Sequence, residues 1–132
     1  MFPSPMVFID GQHRKFYEDC INKANASKDP YRKALFYMLG LTEKTRCNIS
    51  HLYDFKERGI VFDGLFGDFQ TSVSLKVTRM AFNLYNGFTG DTGEKGNDEP
   101  RFYSPYYLYD TGLMVYFFEA VKLRYPEYYA AS

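Results

Sequence analysis

Gln70-Thr71-Ser72-Val73-Ser74-Leu75-Lys76-Val77-Thr78-Arg79-Met80-Ala81-Phe82-Asn83-Leu84-Tyr85-Asn86-Gly87 is the stretch whose reading decides the fold. Val73, Val77, Met80, Ala81, Leu84 and Tyr85 recur at the spacing that makes one apolar stripe on a helix of 3.6 residues per turn, and such a stripe has to be buried. Asp68, Thr71 and Ser72 are each competent to cap its start, and Gly87 supplies the stop. On another face Lys76, Arg79, Asn83 and Asn86 line up beside the hydroxyl-rich entry, the most organised polar surface in the chain. Free amides at a helix start attract anions, so Thr71, Ser72, Lys76, Arg79 and Asn83 are candidate binding residues for a phosphate or carboxylate. Ordinary capping explains the same pattern, with Arg79 and Asn83 as buried-edge groups whose hydrogen bonds fix the fold. The glycine-lysine pattern of a P-loop is missing.

Upstream, residues 1–9 carry two prolines and should be extended, with Phe8 and Ile9 against the core. Asp10 caps a helix over residues 11–25, whose apolar face is Phe16, Tyr17, Cys20, Ile21 and Ala24. His13 lies at the border of that face and reads as structural or solvent-exposed. Asp29-Pro30 opens a second helix, and Ala34 to Leu39 leave it little polar face, so burial on several sides is expected before Gly40 stops it. Arg32-Lys33 reads as a solvated first turn, with a basic rim as the alternative.

Thr42 caps a short helix over 43–54, on which His51 and Asp54 would meet. They are the one His-carboxylate pair recoverable from local spacing. They form either a general base with its orienting acid or a surface hydrogen bond, and the absence of a nearby nucleophile favours the second. Residues 55–69 are apolar but broken by Gly59, Gly64 and Gly67, which allows a short strand at 59–62 and a minor hairpin.

Downstream, residues 89–100 form a polar surface loop whose acids do not reproduce a calcium-binding spacing. Tyr103, Tyr106, Tyr107 and Tyr109 then gather around Ser104-Pro105, as a recognition surface or as a packed corner. From about Thr111 a last long helix carries Leu113, Met114, Phe117, Phe118, Val121 and Tyr125 until Pro126, and residues 127–132 should fray. The expected architecture is an all-α single domain of four long helices plus one or two short ones, packed around residues 73–85 and 113–121.

A chain of 132 residues with 45% hydrophobic content has enough apolar material for one core. The 13 Phe and 13 Tyr, with no Trp, exceed what one small core needs, and a homodimer would bury the excess. Sixteen basic residues balance sixteen acidic ones, which gives no electrostatic case for a nucleic-acid partner. Cys20, Cys47, His13 and His51 stand apart in sequence, so no metal site and no cofactor are expected. Neither a leader peptide nor a membrane span is recognisable, and a reducing cytoplasm is the default location.

Arg32-Lys33-Ala34-Leu35-Phe36-Tyr37, Leu52-Tyr53-Asp54-Phe55, Gln70-Thr71-Ser72 and Ala81-Phe82-Asn83-Leu84-Tyr85-Asn86-Gly87 resemble a family of small uncharacterised Firmicutes proteins, over residues 10 to 125. The resemblance implies a setting near mobile elements and prophages, and no activity or catalytic residue. The leading expectation is macromolecular binding, with a protein partner, as an accessory or counter-defence factor. The alternative is a small-molecule binder or enzyme that uses the polar face of the 71–86 helix.

Overall fold

In the computed structural model, which describes residues 6–90 and 99–131, Asp10 accepts the amide of His13 and opens α1 (Gly11–Ala24). Asn25 closes it in the left-handed region at φ 52°. Asp29 accepts the amides of Tyr31 and Arg32, and α2 (Pro30–Leu39) follows. Every residue from Ala34 to Leu39 is fully buried, which requires cover on all sides. α1 supplies one wall and two later helices the others. Gly40 stops the helix as expected, with φ −82°. Its lack of a side chain serves packing, because a Cβ there would stand 2.7 Å from the His13 ring and 3.0 Å from Phe16.

The helix expected over 43–54 breaks after one turn and a half. α3 (Glu43–Cys47) is capped by Thr42, and the Asn48 amide group then folds back onto the Lys44 carbonyl. A 3-10 turn over Ile49–His51 leads into β1 (Tyr53–Asp54), which pairs antiparallel with β2 (Gly59–Ile60), Tyr53 opposite Ile60. The partner of the expected strand therefore precedes it. Asp54 closes the turn by accepting the amides of Lys56 and Glu57, and Arg58 sits at φ 59°.

After a 3-10 turn at Phe62–Phe66 comes α4 (Ser72–Asn86). Thr71 and Ser74 each accept the other's amide in a capping box, and Gly87 ends the helix at φ 76°. The burial of α4 is wider than the stripe expected for it. Val77, Met80, Ala81 and Leu84 are buried as the spacing requires, but Phe82 on the opposite side is also fully buried, against Phe88, while Val73 is exposed in the first turn. A 3-10 turn over Glu99–Tyr103, α5 (Pro105–Leu108), α6 (Met114–Arg124) and α7 (Pro126–Ala131) complete the described chain.

The fold is all-α as expected, with four long helices, α1, α2, α4 and α6, and one two-stranded hairpin among the described residues. Among the described residues three short helices accompany them, and α7 occupies the stretch expected to fray. The expectations for residues 1–5, 91–98 and 132 lie outside the described residues. α2 is the axis: α4 and α6 pack most extensively on it and α1 next. In the stretch 113–121, Phe117 and Ala120 are fully buried and Leu113, Tyr116 and Val121 are partly buried against the core, so this segment packs along one side only.

Arg32 is no solvated first-turn residue. It donates to the Tyr53 hydroxyl at 2.9 Å, the Asp29 carboxylate at 2.7 Å and the Arg58 carbonyl at 2.7 Å, and the Tyr85 ring lies 5.3 Å from its guanidinium. One side chain thus ties the start of α2 to the hairpin and to the end of α4.

Candidate functional site

Lys76 of α4, Tyr106 and Tyr107 of α5, and Tyr109, Asp110 and Met114 beyond it line an open groove of about 540 Å³. The fold brings these residues together in two steps. Pro105 fixes the first turn of α5, so Tyr106 and Tyr107 follow on a single turn with their rings edge to face at 5.0 Å. The chain then turns at Thr111, whose hydroxyl accepts the Leu113 amide, and α6 starts with Met114 on the groove side. Lys76 reaches across from α4, donating to the Asp110 carbonyl at 3.1 Å and lying 3.9 Å from its carboxylate. The Asp110 side chain is 88% exposed, whereas that of Lys76 is 19% exposed, so the charge offered to solvent is the acid.

The exposed aromatic surface continues out of the groove. Tyr106 is 81% exposed, and on the outer side of α6 Val115 is 64% and Phe118 50% exposed. Tyr109 stacks at a tilt on both Phe117 and Phe118, linking groove and helix. Val115 and Phe118 were missed by a reading that assigned the apolar residues of this helix to the core. The available signal was that the apolar residues of α6 spread over most of its circumference and leave only the narrow polar edge of Glu119, Lys122 and Arg124, a spread that one small core cannot cover completely.

Thr71, Ser72, Arg79, Asn83 and Tyr103 do not join the groove lining. Thr71 is spent in the capping box, and Ser72 is an exposed first-turn residue. Arg79 is 8% exposed and holds Glu99 with two hydrogen bonds, its guanidinium 4.4 Å from the Phe102 ring. Asn83 donates to the Phe88 carbonyl at 3.2 Å and fixes the chain leaving α4. The Tyr103 hydroxyl turns inward to Glu99 at 3.3 Å, and burial, reinforced by that carboxylate, pushes its pKa up. Both cations of the polar face therefore have intramolecular partners.

His51 and Asp54 are not brought together on a helix, because His51 ends the 3-10 turn and Asp54 begins the hairpin turn. The His51 ring lies 6.1 Å from that of Phe69, in a shallow groove of about 390 Å³ shared with Ser50, Asp63 and Asp68 but not with Asp54. Asp54 spends its carboxylate on backbone amides. Burial pushes the Cys20 thiol up to about 12, the opposite of an activated nucleophile. Among the described residues, no three His, Cys, Asp or Glu side chains gather as a metal site, and no helix is long and apolar enough to cross a membrane.

No curated protein and no solved structure matches the chain. Residues 3–132 match a family of unknown function (DUF6075), and the chain belongs to that family.

Proposed function

We propose that this chain is a non-catalytic protein-binding domain that docks a segment of its partner in the tyrosine-lined groove between α4 and the start of α6. The observation that carries the reading is the exposure of Tyr106 beside Tyr107 and Met114, a rigid aromatic surface that no part of the described chain covers. Tyrosine supplies contact area with little rotamer entropy to lose, and each hydroxyl remains available as donor or acceptor. With Asp110 as the exposed charge, the groove suits a segment bearing a Lys or Arg flanked by aliphatic residues, the cation lying on a tyrosine face and near the carboxylate. The setting we attach to it is cytoplasmic, as an accessory or counter-defence factor of a mobile element, on the strength of the sequence resemblance. The anion-binding alternative on the polar face of α4 has less support, because Arg79 and Lys76 are already engaged.

The test is capture from a native-host extract by the native chain and by Tyr106→Ala/Tyr107→Ala, with circular dichroism and melting as controls. Loss of a captured protein in a variant that folds and melts like the native chain supports the reading. Equal capture by both chains, or turnover of a metabolite by the purified chain alone, overturns it.

A further inference from the structure

We infer that the surface of α1 and α2 around His13 and Tyr37 is a docking site for an extended segment of a partner protein, with Phe between two aliphatic residues. Residues 7–9 of this chain occupy that site as an internal stand-in. The site shares no residue with the tyrosine-lined groove and does not rest on that reading.

The segment is held as a bound peptide is held, by its backbone and by one side chain. The Tyr37 hydroxyl on α2 donates to the Val7 carbonyl at 2.6 Å, and the Ile9 amide donates to Nδ1 of His13 on α1 at 3.1 Å. Between these anchors the Phe8 ring enters a box of rings. His13 meets it edge to face at 5.1 Å, Tyr17 lies at 5.7 Å and Tyr37 at 5.9 Å, and the Arg14 guanidinium is 5.7 Å from its centroid. The box is fixed from behind. His13 and Tyr37 are fully buried, and His13 Nε2 donates to the Tyr37 carbonyl at 2.8 Å, which leaves Nδ1 to accept from Ile9. Backbone anchors at alternate residues with one aromatic pocket between them are a general way of reading an extended peptide. The Val7 side chain is exposed and that of Ile9 partly buried, so selectivity falls on the Phe and on the residue after it.

The segment can leave without cost to the helices. Residues 6–9 belong to no helix or strand. Asp10 opens α1 by itself, its carboxylate accepting the His13 amide and its carbonyl the Arg14 amide. Departure of residues 7–9 therefore unwinds nothing and opens the box to another occupant. A tethered stand-in competes at an effective concentration on the order of millimolar, so it screens the site from weak ligands and yields to a segment that binds more tightly.

The probe is a fluorescent synthetic peptide, Met6-Val7-Phe8-Ile9-Asp10, titrated by polarisation against the full native chain and against Phe8→Ala, with circular dichroism and melting as controls. Phe8→Ala empties the box of its stand-in, so it should bind the peptide about tenfold more tightly than the native chain does. The peptide with Ala in place of Phe8 should not bind. Adding Tyr37→Phe to Phe8→Ala should weaken binding about two- to tenfold, because it removes the donor to the Val7 carbonyl. A folded Phe8→Ala chain that does not bind the peptide overturns the docking site. So does a Phe8→Ala chain that fails to fold, since the segment is then part of the core. Equal binding by the native and variant chains overturns the stand-in role. A native chain that doubles its 15.5 kDa mass in light scattering, and loses the doubling on Phe8→Ala, assigns the site to exchange between copies and overturns the partner reading.

Discussion

Arg79 on α4 grips Glu99 through two hydrogen bonds, Nε to Oε2 at 3.0 Å and Nη2 to Oε1 at 2.7 Å, with both side chains nearly excluded from water. Gly90 packs directly on the Glu99 side chain at φ 79°, so the chain on either side of residues 91–98 is fastened to one point of α4. A buried fork of this kind gives little net stability relative to an apolar pair, yet removing one member strands the other charge in a dry site.

Glu99→Leu and Arg79→Met should therefore each destabilise the fold by about 3–5 kcal/mol, while the two combined should recover most of that loss. Urea denaturation of the four chains gives the coupling. Simple additivity of the two single losses would show that the pair does not act as a unit.

Gly64 and Gly59 lie five residues apart in the same apolar stretch and should answer differently to an added methyl. A Cβ at Gly64 would collide with the His51 carbonyl and stand 2.6 Å from Leu52, which is fully buried, whereas nothing lies within 4 Å of one at Gly59. Gly64→Ala should cost about 1–3 kcal/mol and Gly59→Ala should stay within about 0.5 kcal/mol of the native chain. Equal shifts in the urea midpoint would refute the steric account.

The helices legible in the sequence are those with strong local signals. Asp10, Asp29, Thr42 and Thr71 all cap the helices they were read to cap, because an N-cap depends on a few adjacent residues. The hairpin was faint because its strands are two residues long and its turn rests on Asp54 and a left-handed Arg58 rather than on a turn dipeptide. Arg32 looked solvated because its partners, Tyr53 and the Arg58 carbonyl, lie more than twenty residues away. The groove was half legible for the same reason. The tyrosines cluster in sequence, but the meeting of Lys76 with Asp110 across 34 residues is a product of packing. Periodicity also cannot say which apolar side of α6 meets the protein.

His13 gives the fold a definite acid response. Its Nδ1 accepts the Ile9 amide at 3.1 Å and its Nε2 donates to the Tyr37 carbonyl at 2.8 Å, which fixes the neutral ring with its proton on Nε2. Burial lowers its pKa below 6.5, with Arg46 acting in the same direction, and the Tyr37 carbonyl and Asp10 offset this only in part. Above that value the ring is neutral whether the chain is folded or not, so it makes no pH-dependent contribution. Below it the unfolded chain takes up a proton that the folded chain refuses, and stability falls as the pH drops towards the folded pKa, at a limiting slope of about 1.4 kcal/mol per pH unit. His13→Gln keeps a donor for Tyr37 but does not titrate. It should lower stability at neutral pH by about 1–2 kcal/mol, through the lost acceptor for Ile9, and flatten the decline that begins below pH 6.5. Urea midpoints of both chains on the two sides of that pH make the comparison. An equally steep decline in the variant would assign the acid response to other groups.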